Sequence, residues 1–442
     1  MPEPLPEKAF FKFYDMLWSL AIPFLKHNKR IAQGYNQRIL KQKLFYADLW
    51  IQAASVGEAY LAVEIINNLP YSDQLRILIT TSTSQGIEIL TKAFPPLENR
   101  NIQAAYFPFD KPCIMQSAVK NVCPRLMVIL ETEIWPGLIW ALKKQKVKIF
   151  IVNGRLSLKS LKNYKIWPGL WKHLSPDKIL AVSREDAERF KLLFGSGSSV
   201  ALMNNIKFDR IDLNLPGVSN NLKTFFKDNI PVLVLGSVRG DEEELIEKII
   251  IYVYSRNPGV IICIFPRHLH RVNSWSKRLN KGNTAWRLRS RLGSEVPGGT
   301  IVLWDIFGEL ASMYELAKAV FVGASLVPLG GQNFIEPLAA GIRPVIGPYW
   351  KDFKWAGLQL FDQGLVREGK NWQEAAELLN ADLENPLDRE SIRKQAAGYL
   401  QKHQGGTKQA CQIIFDFLKS YVTVYIKQNN ESKKETLNNA GN

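Results

Sequence analysis

The sequence predicts an α/β protein built from two doubly wound, Rossmann-like domains that face each other across a cleft. Three observations carry this expectation. Short, wholly apolar runs alternate with amphipathic stretches, as in parallel sheets wrapped by helices. A Pro-, Asn- and Ser-rich break, Asn214–Asn221, divides the chain near its middle. Glycine and charged residues gather where the apolar runs stop, and in such sheets ligands bind beyond the carboxyl ends of strands.

Taken in chain order, Phe10–Leu25 reads as a helix of aromatic and aliphatic residues with a narrow polar stripe at Lys12, Asp15, Ser19 and Lys26. It is too short to span a bilayer, which needs about 20 mostly apolar residues. From Met16 to Ala47 no acidic residue occurs, while Lys26, Lys29, Arg30, Arg38, Lys41 and Lys43 do. An apolar helix joined to a cationic segment reads as an interfacial anchor on anionic lipid. The plainer alternative is a helix packed on its own domain. Leu49–Ala54, Leu75–Thr80, Leu126–Leu130, Lys148–Val152 and Ile179–Val182 then read as buried strands. The second series is Val232–Leu235, Val260–Phe265, Thr300–Leu303, Ala319–Val322 and Pro344–Ile346. The boundaries that follow are an anchoring segment 1–45, a domain 46–213, a linker 214–229, a domain 230–427 and a polar tail 428–442.

Composition narrows the function. Of 442 residues, 57 are Lys or Arg and 41 Asp or Glu, a net charge of +16 that suggests an anionic partner. Four scattered cysteines form no C-x-x-C pair, which argues against a zinc cage or a disulfide framework. The five histidines show no metal spacing, and neither a D-x-D triplet, a Walker loop nor a G-x-S-x-G elbow is present. The opening residues lack the basic start of a secretory signal.

The chemistry-bearing residues sit at predicted strand ends. Ser55-Val56-Gly57-Glu58 leads from a strand into a helix, placing a carboxylate where the helix dipole favours ionisation, either as a general base or as a helix cap. Glu131-Thr132-Glu133-Ile134-Trp135-Pro136 puts two carboxylates after an apolar strand, which is costly without purpose or pairing. Asn153-Gly154-Arg155-Leu156-Ser157 follows the next strand and opens a lysine-rich stretch. In the second half, Pro266-Arg267-His268 offers cationic donors, and Gly330-Gly331 precedes a helix start able to present amides to an anion. Glu336, one turn on, suits the two hydroxyls of a ribose.

Together these motifs, with Lys207-Phe208-Asp209, Gly308-Glu309-Leu310 and Asn333-Phe334-Ile335-Glu336-Pro337, resemble the 3-deoxy-D-manno-octulosonic acid (Kdo) transferases of lipid A assembly. The resemblance spans roughly residues 10–425. It implies a GT-B glycosyltransferase with an acceptor-binding first domain and a CMP-sugar-binding second domain, catalysing an inverting transfer without metal or other cofactor. It implies CMP-Kdo as donor, the phosphorylated lipid A precursor as acceptor, and a peripheral or monotopic place on the anionic cytoplasmic face of the inner membrane, with no nucleic-acid partner. By position, Glu58 matches the family's general base, and Glu131 and Lys207 match transition-state-stabilising residues. Pro266 and Arg267, Phe307, Gly308 and Glu309, and Asn333, Phe334, Ile335 and Glu336 match the CMP-binding segments. The chain departs from the family pattern at Arg239, Gln332 and Tyr349, where His is usual, and at Asn204, where Gly is usual. The rival readings are another GT-B transferase with a different donor or acceptor, and a non-catalytic basic protein that binds membrane or nucleic acid.

Overall fold

The computed structural model of the chain describes residues 7–70, 75–95, 101–211, 220–282 and 284–419. These form two compact units: one holds the residues up to Arg210 and those from His403 onward, the other Ile211–Lys402.

The first unit is a seven-stranded parallel sheet of β1 (Leu49–Gln52), β2 (Ile77–Thr81), β3 (Ile102–Tyr106), β4 (Leu126–Leu130), β5 (Lys148–Gly154), β6 (Lys178–Ala181) and β7 (Ser199–Leu202). Their order is β3-β2-β1-β4-β5-β6-β7. The continuous apolar runs follow from burial on both faces. Because side chains alternate along a strand, one face carries Trp50, Met127, Ile129, Ile149 and Ile151 into a core shared with helices Pro112–Val122 and Pro136–Lys144. The other carries Leu49, Ile51, Val128, Leu130 and Val152 against helix Val56–Asn68 and the last helix, residues 406–419.

That last helix corrects the expected boundary at residue 427. Ala410, Cys411, Ile414 and Leu418 are buried in the first unit's core, and the Phe417 ring lies 5.6 Å from that of Phe150. Asp209 anchors its start by accepting the amide protons of Gly405 (2.5 Å) and Thr407 (2.6 Å). Asn204, the residue replacing the family's glycine, contributes by donating from Nδ2 to the Gln404 carbonyl at 2.6 Å.

Nor is the N-terminal segment separate. Helix Glu7–Leu25 buries Phe11, whose ring stacks 4.5 Å from Trp140, and sets Trp18 against Phe109. Tyr14 donates from its hydroxyl to Asp110 at 3.0 Å, and Asp15 accepts the Cys113 amide proton at 3.0 Å. The opposite face leaves Phe13, Leu17, Leu20 and Phe24 exposed, spaced three or four residues apart, with Met16 exposed beside them. The helix thus packs on its own domain with one stripe and presents a second apolar stripe outward. Among the described residues no helix is long and apolar enough to cross a membrane.

The second unit repeats the plan with β8 (Val232–Val238), β9 (Ile261–Pro266), β10 (Trp286–Leu288), β11 (Ile301–Leu303), β12 (Ala319–Val322), β13 (Pro344–Ile346) and β14 (Arg367–Glu368). All run parallel in the order β10-β11-β9-β8-β12-β13-β14. The expected linker is shorter than 214–229: Leu222 and Phe226 are buried, the Val296 amide donates to the Phe225 carbonyl, and Asn220 donates to the Ser312 carbonyl. Residues 212–219 and the polar tail 428–442 lie outside the described residues.

Strand order reverses between β1 and β4 in the first sheet and between β8 and β12 in the second. Such points open a crevice at the carboxyl edge.

Candidate active site

Backbone strain marks both carboxyl edges. Glu131 ends β4 with φ 53°, Asn153 lies in β5 with φ 57° where the register with β6 shifts, Ser237 lies in β8 with φ 56°, and Ala324 follows β12 with φ 56°. A non-glycine residue in the left-handed region is uncommon and gathers where a site over-determines the backbone.

In the first unit the strain brings together Glu58, Glu131, Glu133 and Lys207. Glu58 is the third residue of helix Val56–Asn68 and closes a capping box. Ser55 Oγ accepts its amide proton at 3.3 Å, and Glu58 Oε2 accepts those of Ala54 (2.6 Å) and Ser55 (3.3 Å). Oε1 takes no part in the cap. The carboxyl is 5% exposed. Burial, then the charges of Glu133 and Glu131, push its pKa up to about 8 against the two amide hydrogen bonds. The helix-dipole expectation of an ionised carboxylate is therefore overturned: the neighbouring acids and the loss of water outweigh the dipole.

Glu131 is tied to Lys207, Nζ to Oε1 at 2.6 Å, with Arg155 at 4.0 Å. Lys207 is set in place by its own turn. Asn205 Oδ1 accepts the Lys207 amide proton at 3.0 Å, and Asn153 Oδ1 accepts that of Ile206 at 3.0 Å. The strained Asn153 thus positions the turn that carries the lysine. Glu133 is raised above the usual carboxylate range by burial, with Trp135 hydrogen bonding opposing and Glu131 adding to the rise. The Tyr164 hydroxyl is raised by burial and by Glu133. Glu133 stood in the sequence motif, but its influence on Glu58 had no linear signal, because seventy-odd residues separate them. Asn153 likewise offered only its place after a strand.

In the second unit, Pro266 is buried at the end of β9, and Arg267 after it is exposed. Asn333 organises the start of helix Ile335–Ala339: Oδ1 accepts the Ile335 amide proton at 3.1 Å and Nδ2 donates to Glu336 Oε1 at 2.8 Å. Surrounding protein raises the Glu336 pKa, while Asn333 and the Arg267 charge lower it. Arg267 and Glu336 therefore share one electrostatic neighbourhood. Phe334 and Ile335 are wholly buried, Phe334 among Trp350, Phe353 and Phe361, so their side chains hold the turn rather than face a ligand. Glu309 is occupied by the Arg289 fork (2.9 Å for each bond) and by the Trp304 indole N–H. It fixes a loop in which Gly308 has φ 93° and Phe307 is 71% exposed. A flat exposed ring on a pinned loop is suited to stacking on a base.

Sequence missed Glu242, which is fully buried and whose carboxylate accepts amide protons from Arg239, Ala324, Ser325 and Leu326. Gly323 beside it has no room for a side chain, since a Cβ would lie 2.6 Å from Glu242 Oε1 and 2.7 Å from the Ser237 carbonyl oxygen. This clamp ties the strained ends of β8 and β12 together. Among the described residues no group of three or more His, Cys, Asp or Glu side chains is arranged to hold a metal.

Residues 26–210 match the family model described as 3-deoxy-D-manno-octulosonic-acid transferase (kdotransferase). The 3-deoxy-D-manno-octulosonic acid transferase of Haemophilus influenzae is 29% identical over 405 residues, 88% of this chain and 92% of that one. That of Bordetella pertussis is 29% identical over 383 residues, 84% and 88% of the two chains. A glycosyltransferase structure from Rickettsia africae covers 85% of this chain and all of its own at a TM-score of 0.55 and 11% identity, which bears on the fold alone. The GT-B architecture and the resemblance drawn from the motifs are thus borne out.

The raised Glu58 pKa has a consequence for stability. The folded state holds a proton that the unfolded chain, with an ordinary glutamate, releases near pH 4.5. The stability due to neutral Glu58 is complete below that value and is lost as pH rises through about 8. Urea denaturation at pH 5, 6.5 and 8 should show Glu58→Gln losing less stability over this interval than the parent. Parallel pH profiles would contradict the assignment.

Proposed function

We propose, on the chain's kinship with the Kdo transferases, that it moves Kdo from CMP-Kdo to a hydroxyl of the phosphorylated lipid A precursor in lipopolysaccharide assembly. The observation that carries the chemistry is Glu58. It is a buried carboxyl at a strand's carboxyl end, with one oxygen engaged in the cap, Oε1 outside it, and a pKa of about 8. A base whose pKa lies near the working pH combines available ionised form with proton affinity. Glu58 takes the proton of the acceptor hydroxyl, and the oxygen attacks the anomeric carbon of Kdo. The bond from that carbon to the CMP phosphate breaks, and its electron pair leaves with the phosphate. Attack opposite the leaving group inverts the configuration.

Lys207 supplies positive charge for the transition state, and Glu131 holds it in place until it is needed. In the second unit, Arg267 faces the phosphate, Glu336 accepts the ribose hydroxyls and Phe307 stacks on the base. These cationic groups carry the phosphate charge, so the transfer is read as independent of metal. The exposed stripe Phe13, Met16, Leu17, Leu20 and Phe24, next to the cationic segment, seats the enzyme on the anionic cytoplasmic face of the inner membrane, where such an acceptor resides.

Mass spectrometry of the product formed from CMP-Kdo and lipid A precursor tests the reading as a whole. Glu58→Gln keeps the cap's acceptor and should retain CMP binding while transfer falls about 10²–10⁴-fold, the usual cost of losing a general base. Turnover within threefold of the parent would pass the role to Glu131 or Glu133.

Calorimetry should show Glu336→Ala binding CMP more weakly by about 1.5–3 kcal/mol, the range for a hydrogen bond to a charged group. Equal affinity would remove Glu336 from the nucleotide site.

Replacing Phe13, Leu17 and Leu20 by Ser alters only the outward stripe. The variant should fold as the parent does yet fail to co-sediment with phosphatidylglycerol-containing liposomes. Unchanged co-sedimentation would refute the membrane role.

A further inference from the structure

A cavity of about 320 Å³ lies at the amino-terminal edge of the second sheet. Its walls come from the approach to β8 (Phe226, Ile230), the residues just before β12 (Lys318) and β13 (Ile342, Arg343), and the start of helix Arg389–His403 (Ile392). This is the edge opposite the one bearing Arg267, Asn333 and Glu336. Substrates of doubly wound sheets occupy the carboxyl edge, so the cavity is no part of the site described above.

Its chemistry is distinct. Phe226 and Ile342 are buried and provide an apolar floor, while Lys223, Lys227, Lys318, Arg343 and Arg389 line the walls beside Asp228, Glu315 and Asp382. Most of the acids are engaged. Asp382 accepts from both Arg343 (2.8 Å) and Arg367, so one carboxylate answers two guanidinium groups. Glu315 accepts from Asn220 Nδ2 at 3.1 Å. Lys227 is paired with Glu295 at 2.7 Å. Asp228 and Glu315 keep their negative charge, but Lys223, Lys318, Arg389 and the second guanidinium on Asp382 outnumber them, so the lining as a whole is positive. The Arg343 Nε is buried and has no hydrogen-bond partner among the described residues. A net positive lining over an apolar floor favours an anion that carries an apolar body.

The walls are also rigid in advance. Arg389 donates to the carbonyls of Tyr314 (3.3 Å), Ala317 (2.6 Å) and Ala340 (3.1 Å), fastening the carboxyl ends of helices Leu310–Leu316 and Ile335–Ala339 beside the opening. Helix Leu310–Leu316 begins beside Glu309 and ends at the cavity wall in Glu315 and Leu316. One short rigid element therefore joins the cavity to the loop that carries Phe307.

We propose that this cavity is a second ligand site, which binds a small amphiphilic anion: a phosphate or carboxylate at Lys223 and Lys318, and an apolar body against Phe226 and Ile342. Its volume falls at the lower end for small-molecule pockets, which suits a compact metabolite and excludes a whole nucleotide sugar.

The test uses the full chain with saturating CMP, which keeps the probe out of the nucleotide site if CMP binds there. It does not depend on that binding. Calorimetry is run with 1-naphthyl phosphate, with 1-naphthol as the apolar body alone and with inorganic phosphate as the anion alone. The phosphate ester should bind with one site per chain, and each half-probe at least tenfold more weakly. Lys318→Glu and, separately, the exposed Lys223→Glu should each weaken the ester at least tenfold while leaving the CMP affinity unchanged. Ile392→Trp, which fills the cavity without changing charge, should abolish ester binding. No ester binding up to millimolar concentration would overturn the proposal, as would binding that all three variants retain within twofold. Equal binding of ester and inorganic phosphate would also overturn it, because the apolar floor would then play no part.

Discussion

Three carboxyl groups, Glu58, Glu131 and Glu133, are brought into one poorly hydrated corner of the first sheet, and a single lysine, Lys207, is ion-paired there with Glu131. Three ionised carboxylates with only Lys207 close by, and Arg155 4.0 Å from Glu131, would repel strongly in so low a dielectric. Lys207 pairs with Glu131, and burial favours the neutral forms of Glu58 and Glu133. Glu133 outranks Glu131 as a perturber of Glu58, in keeping with the partial cancellation of the Glu131 charge by Lys207. Every element that meets at this corner depends on that distribution of charge.

The constraint explains details that otherwise look unrelated. Lys207 has to be held within 2.6 Å of Glu131, and a lone lysine side chain on a loop would not stay there. Its turn is therefore pinned by Asn153 and Asn205, and Asn153 adopts a left-handed backbone to reach it. Asp209, two residues on, fastens the returning C-terminal segment, and that segment fills one face of the sheet. The last helix thus belongs to the first unit through two attachments, its buried Ala410, Cys411, Ile414 and Leu418 and the Asp209 hydrogen bonds at its start.

How much of this was legible in the sequence depended on burial. All ten strands expected from apolar runs exist; Leu126–Leu130, Ala319–Val322 and Pro344–Ile346 match at both ends, and no other end is displaced by more than three residues. The four that went unread, β3, β7, β10 and β14, are the four edges of the two sheets. Edge strands carry mixed exposure, as in Ser199–Leu202, where Val200 alone is partly covered and the rest is exposed, so no apolar run announces them. The candidate residues were found because strand ends concentrate odd residue types, but their states were not. Nothing in Ser55-Val56-Gly57-Glu58 signals that Glu131 and Glu133 will raise the Glu58 pKa. Nothing in Phe334-Ile335 distinguishes a ligand contact from a core anchor. Such properties are set by groups distant in sequence, and only the folded chain contains them.

Glu58 also shows how one carboxyl can close a helix cap and still hold a raised pKa. The cap uses Oε2, whose two amide hydrogen bonds stabilise the ionised form and fix the carboxyl plane at the helix start. Burial and the two neighbouring acids favour the neutral form. A cap alone would leave an ordinary or lowered pKa, and burial alone would leave a carboxyl free to rotate. The two together give a group that is rigidly aimed and titrates within reach of neutral pH. Gln at this position keeps the aim and loses the titration, whereas Ala loses both. The structure therefore assigns orientation to the hydrogen bonds and proton affinity first to burial and then to the neighbouring charges, which are separable properties of one side chain.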